Sequence, residues 1–168
     1  MAKIKSTLDL VMERTKGLSM TEDDKLALKT KEWTEKARGW VQMLLDRNLS
    51  LHELRKEFAA GSAVHSRLDD VLRRELLDRI DPDADNGIIF QALAEILGFD
   101  VSPLRETLAE YQRNLAQIEI DHGERLRLEL QAKGISGTSV VPNISVDEAW
   151  IADAKALKDR FRQGVRAV

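Results

Sequence analysis

Asp81, Asp83 and Asp85 stand at alternate positions in the stretch Asp81-Pro82-Asp83-Ala84-Asp85-Asn86-Gly87. Alternating carboxylates ahead of a glycine open calcium-binding loops, where hard oxygens share a hard cation. Counted from Asp81, the first, third and fifth ligand positions are filled, and Ile88 takes the hydrophobic eighth. Glycine arrives one place late, and the twelfth position, where a bidentate glutamate closes such loops, is Ala92. The turn therefore has two readings. In one, Asp81, Asp83 and Asp85 hold calcium weakly. In the other, Asp81 closes one helix, Pro82 forbids its continuation, and Asp85 or Asn86 caps the next.

A second constellation is Glu119-Ile120-Asp121-His122. A Glu-x-x-His pair on a long helix is half of the ligand set of carboxylate di-metal bundles. Such sites need a second pair, and neither His52 nor His65 has a glutamate three residues before it. Gly134-Ile135-Ser136-Gly137-Thr138 could cradle an anion with its amides, but it has no phosphate-loop lysine and no preceding strand. No Gly-x-Ser-x-Gly elbow presents a serine for nucleophilic attack. The sequence thus assigns no catalytic residue. Trp33 and Trp40 lie one heptad apart and Trp150 lies on the last helix; the three are partner-binding candidates that core packing would also explain.

The elements that position these residues read as helices throughout. The first is predicted from about Ile4 to Lys16, and a second of roughly 25 residues starts after Ser19 or Thr21, with Leu26, Thr30, Trp33, Ala37, Trp40 and Leu44 turned inward. Ser50 and Glu53 make a capping box for a third helix, whose stripe of Leu54, Phe58, Gly61 or His65, Leu68, Leu72 and Leu76 runs towards Ile80. Its small run Ala59-Ala60-Gly61-Ser62-Ala63 predicts a bend or a close helix crossing. An apolar helix from about Ile88 to Leu97 should stop at Gly98, and a long one should run from Pro103 to Lys133. Residues 134–145 form the linker, pinned by Val140 and Val141, before a capping box of Ser145 and Glu148 opens the last helix. The fold class is all-α: one elongated antiparallel bundle with coiled-coil-like seams, with sub-lobes 1–80 and 88–168 meeting at the 81–87 turn.

Composition narrows the chemistry further. The absence of cysteine excludes disulfides, thiolate nucleophiles, Cys-ligated zinc and iron–sulfur clusters. A net charge of -3 gives no general attraction for nucleic acid or anionic lipid. No apolar run reaches membrane-spanning length, and the expected location is the cytoplasm. Near the end, Lys155, Lys158, Arg160, Arg162 and Arg166 are opposed only by Asp159. That cluster either complements a helix dipole or forms a small docking patch for an acidic partner.

The stretch Ile4-Lys5-Ser6-Thr7-Leu8-Asp9-Leu10-Val11-Met12-Glu13-Arg14-Thr15-Lys16-Gly17-Leu18-Ser19-Met20-Thr21 resembles the opening of small, uncharacterised bacterial all-helical proteins of unknown function. The resemblance implies a bacterial cytoplasmic setting and carries no activity with it. Taken with the residues, the leading expectation is a non-enzymatic helical interaction or scaffold protein without a cofactor, acting on a protein partner and forming a homo-oligomer, with no nucleic-acid or membrane partner. The alternative is a metal-responsive regulator binding calcium at Asp81, Asp83 and Asp85, and after it a carboxylate/His bundle metalloenzyme.

Overall fold

Reciprocal capping sets where the chain first winds. In the computed structural model, which describes residues 21–63 and 65–168, the Thr21 hydroxyl accepts from the Asp24 amide while the Asp24 carboxylate takes the Thr21 amide. Helix α1 (Glu22–Leu45) follows, and Ser50 with Glu53 repeats the device for α2 (Leu51–Ser62). The remaining elements are α3 (Leu68–Leu77), α4 (Gly87–Leu97), α5 (Ser102–Ala132), a 3₁₀ turn (Ile144–Val146) and α6 (Glu148–Ala167). The described residues contain no strand, and the all-α bundle stands. The predicted helix at about 4–16, and all but Thr21 of the stretch behind the bacterial resemblance, lie outside the described residues.

Helices α1 to α4 pack into a lobe around Ala37, Trp40, Val41, Leu44, Leu54, Leu68, Leu72, Leu76 and Leu93, all buried. Helices α5 and α6 pair along their lengths as a hairpin, and its near end joins the same core through Leu104, Tyr111, Leu157, Phe161 and Val165. Gly98 stops α4 as its type predicts: it adopts φ 61°, and the Phe99 amide reaches back to the Leu93 carbonyl at 3.0 Å.

Four local expectations need correction. The third predicted helix is two, α2 and α3, separated by residues 63–67. A Cβ on Gly61 would sit 2.7 Å from Leu68 Cδ2 and 2.9 Å from Trp33 Cζ3. Seven residues of straight helix would carry Leu68 about 10 Å along the axis from Gly61, so only a chain reversal brings them together. The close approach therefore comes from the bend, with Trp33 of α1 closing the third side.

Next, the α1 seam is shorter than its sequence spacing. It faces the core from Trp33 onwards, whereas Leu26 is 60% exposed. Finally, α6 begins at Asp147, whose carboxylate accepts from the Trp150 amide at 3.1 Å, and not at Ser145. Asn143 takes the Ser145 amide and hydroxyl instead and winds the 3₁₀ turn. Val141 is 85% exposed and pins nothing; Val140, Pro142 and Ile144 are the partly covered residues of the linker.

Candidate functional site

The acidic turn lies where the hairpin meets the lobe. Pro82 ends any continuation of α3, and Asn86 then knits the turn together: its carboxamide accepts from the Asp81 amide at 3.1 Å and donates to the Asp81 and Ala84 carbonyls at 2.8 and 3.1 Å. Asn86 is itself buried, so it is a structural cross-brace satisfied on every side and not a simple helix cap. Asp85 accepts the Gly87 amide at 2.8 Å, and Asp81 accepts the Asp83 amide at 3.1 Å.

The carboxylates that remain turn towards the hairpin. Lys158 of α6 places Nζ 2.9 Å from Asp81 Oδ1 and 2.5 Å from Asp83 Oδ2. Tyr111 of α5 donates its hydroxyl to Asp83 Oδ1 at 3.0 Å. Both arms of the hairpin are thus fastened to one turn. The Lys158 ammonium, and then the Asp83 amide, hold Asp81 below the ordinary carboxylate range. Lys158 is raised in turn, first by Asp83 and then by Asp81. Burial, followed by the Asp83 hydrogen bond, pushes the Tyr111 phenol up to about 12.

For cation binding, the relevant geometry is what each oxygen already holds. Asp81 and Asp83 share Lys158, and Asp85 faces a backbone amide. The described residues contain no group of three or more His, Asp or Glu side chains arranged to hold a metal ion. An entering calcium ion would have to compete with an ammonium tethered to the chain.

His122 is equally committed, further along the hairpin. Its Nδ1 lies 3.0 Å from Asp147 Oδ2 and its Nε2 lies 3.0 Å from Asp153 Oδ2. Arg125 also contacts Asp147 through Nη2 and reaches Glu129 at 2.7 Å through Nη1. The Arg125 hydrogen bond is the main reason the Asp147 carboxyl lies low. Asp147 therefore caps α6 and joins it to α5 with one carboxylate. With both ring nitrogens occupied, His122 has none to offer beside Glu119, which lines a groove nearer Trp150 and Lys155.

The tryptophans divide. Trp40 is buried in the lobe, and Trp33 is partly buried, stacked on the His65 ring at 6.0 Å and 5°. Lys36 covers both indoles, with Nζ 4.8 Å and 5.1 Å from their centroids. Trp150 lines the α5–α6 groove, but its indole nitrogen is buried without a hydrogen-bond partner. Gly134 and Gly137 have positive φ in an exposed loop.

Sequence reasoning missed Tyr111 and Lys158 as partners of the turn, and Asp147, Asp153 and Arg125 around His122. Only Asp147 carried a local signal, because it precedes a helical run at a spacing that suits an N-cap. Comparison with family models, with curated proteins and with solved structures finds no match for this chain.

Proposed function

We propose that this is a non-enzymatic helical interaction protein that presents its α5–α6 hairpin to a protein partner. The observation that carries the reading is where large apolar side chains are exposed. Of the ten large apolar side chains exposed among the described residues, six (Ile120, Leu128, Ile135, Val141, Val146 and Ile151) belong to the distal half of the hairpin and its linker, while Leu26, Leu28, Met43 and Val168 lie elsewhere. Exposed apolar residues scattered singly are ordinary, but their concentration on one projecting element marks a surface meant to be covered.

The polar clusters support the same reading from the chemical side. Asp83, Tyr111 and Lys158 satisfy one another, as do His122, Asp147 and Asp153, so each cluster fastens helices together and leaves no base beside a nucleophile. A second copy of the chain is one partner the tip would accept, and light scattering at micromolar concentration would detect it as twice the monomer mass.

A photocrosslinking amino acid at Leu128 or Val141, introduced in the native host, tests the proposal. A discrete adduct is expected at these positions and not at the exposed Arg113. The adduct at Val141 should disappear when Leu128→Asp and Val146→Asp are combined. Adducts equally strong at Arg113, or untouched by the two aspartates, would count against the hairpin tip as the contact surface.

A further inference from the structure

A second surface lies at the opposite end of the hairpin, where α6 runs past the end of α3. Two adjoining hollows of about 420 and 640 Å³ share Leu77, Asp78 and Arg166 as lining. Arginines from both helices surround them. Arg79 and Arg162 line the first hollow, and Arg73 and Arg74 line the second.

Counting the charges shows a surplus of cations. Arg73 is paired with Asp70 at 3.0 Å, and Asp81 shares Lys158 with Asp83, at 2.9 and 2.5 Å. Asp78 lies 3.8 Å from Arg166, and the two hollows together present Arg73, Arg74, Arg79, Arg162 and Arg166 against Asp70, Asp78 and Asp81. Arg79 spends one N–H on the neutral Gln42 carboxamide at 2.9 Å, and Arg162 keeps a 3.8 Å contact with Asp159 outside the hollow. Among the described residues no carboxylate pairs with Arg74 or Arg79 within 4.0 Å. The chain as a whole carries -3, so this crevice is positive against an acidic background.

We infer that the crevice between α3 and α6 docks an acidic segment of a protein partner, its carboxylates taken by Arg74, Arg79, Arg162 and Arg166. Guanidinium groups favour carboxylates because two parallel N–H bonds match the two oxygens. A polynucleotide fits less well: no aromatic side chain lines the hollows for a base to stack on, and the net negative charge repels a long polyanion. A flat bilayer cannot enter a concave site between two helices. The inference rests on the interaction reading and adds a second, charge-selective contact to it.

Fluorescence anisotropy with the full chain supplies the test. The probes are a short labelled Asp/Glu-rich peptide, its Lys-substituted counterpart, a single-stranded oligothymidylate, and vesicles containing phosphatidylserine. The acidic peptide should bind, weaken as salt is raised, and bind about tenfold more weakly to the Arg162→Glu, Arg166→Glu double variant. Asp78→Asn should tighten binding severalfold, a gain that damage to the fold could not imitate. Arg74→Gln should weaken binding even if the double variant proves unstable.

Absence of peptide binding at millimolar concentration would overturn the inference, as would affinity unchanged in Arg74→Gln and Asp78→Asn. Arginine-dependent binding of the oligonucleotide or the vesicles in place of the peptide would also overturn it. None of those results touches the crosslink at Val141, so the interaction reading stands or falls separately.

Discussion

Tyr111 is the only tyrosine in the chain, which makes one ionisation directly visible. Its hydroxyl is buried at the joint, donates to Asp83 at 3.0 Å, and ionises only near about 12 in place of the ordinary 10.0. Burial disfavours the phenolate first, and the adjacent Asp83 charge adds to it, while Lys158 pulls the other way. Because the folded pKa is raised, the neutral phenol stabilises the fold fully below pH 10, and that stability is lost as pH rises towards 12. At about 1.4 kcal/mol per unit, the loss approaches roughly 3 kcal/mol once both values are passed.

The assay is absorbance at 295 nm, where phenolate absorbs and tryptophan does not titrate, followed alongside far-ultraviolet circular dichroism. The folded protein should give a midpoint near about 12, against about 10 in denaturant. Asp83→Asn should bring the midpoint only part of the way down, since burial is the larger cause. Tyr111→Phe should be about 2 kcal/mol less stable at neutral pH, the worth of a hydrogen bond to a charged acceptor, and the gap should narrow above pH 10. A midpoint of about 10 in a chain still helical would refute the reasoning, because it would mean that the hydroxyl meets water and not Asp83.

The other predictions concern packing, capping and the latch. Gly39→Ala, where a new methyl meets nothing within 4 Å, should stabilise by up to ~1 kcal/mol in thermal melts. At Gly61 the same change drives a methyl into Leu68 and Trp33, and overpacking of about 1–3 kcal/mol should exceed the helix gain and reverse the sign. Ser50→Ala removes half of the α2 capping box and should cost about 1 kcal/mol in urea denaturation. Lys158→Gln should cost ~1 kcal/mol, the upper range for a partly exposed pair, and should also flatten the acid limb. That limb arises because Asp81, held low, contributes stability above about pH 4 and loses it as pH falls further. Calcium at millimolar concentration should raise the melting temperature of Lys158→Gln more than that of the parent protein, and equal shifts would mean that Lys158 does not occupy the turn.

What was legible in the sequence is what is decided within a few residues. The Ser50–Glu53 box, the stop at Gly98 and the extent of α5 all depend on neighbours within one or two turns, and each lies where its residue types place it. The small run Ala59-Ala60-Gly61-Ser62-Ala63 marked the place of a bend, but not that the chain reverses there to bring Leu68, with Trp33 from about thirty positions upstream, against Gly61. Helical periodicity survives such a reversal, because Leu68 faces the same core from its new direction. The turn's partners were beyond reach for the same reason: Lys158 lies 75 residues from Asp83, on a face that reads as solvated charge until the hairpin folds back. Nothing in the sequence announced the two aspartates that bracket His122.

The acidic turn is better understood from α6 than from the loop itself. Lys158, Arg162 and Arg166 recur every four residues and so form one row along the helix face that crosses the end of α3. Asp81 and Asp83 meet the first cation of that row, and Asp78 meets the last at 3.8 Å. A calcium loop collects carboxylates around an ion that can leave, whereas here the cation is covalently part of the opposing helix. Occupying the oxygens and fastening the hairpin are therefore one event. The same row explains why the positive surplus lies beyond the latch: two carboxylates answer Lys158, while only Asp78, at 3.8 Å, answers Arg166, and Arg74 beside it has no carboxylate within 4.0 Å among the described residues. If the latch and the crevice are two separate uses of the row, Asp78→Asn should leave the Tyr111 titration midpoint unchanged while strengthening acidic-peptide binding. A shift in that midpoint would show that the latch and the crevice are one coupled network and not two neighbouring uses of a single helix face.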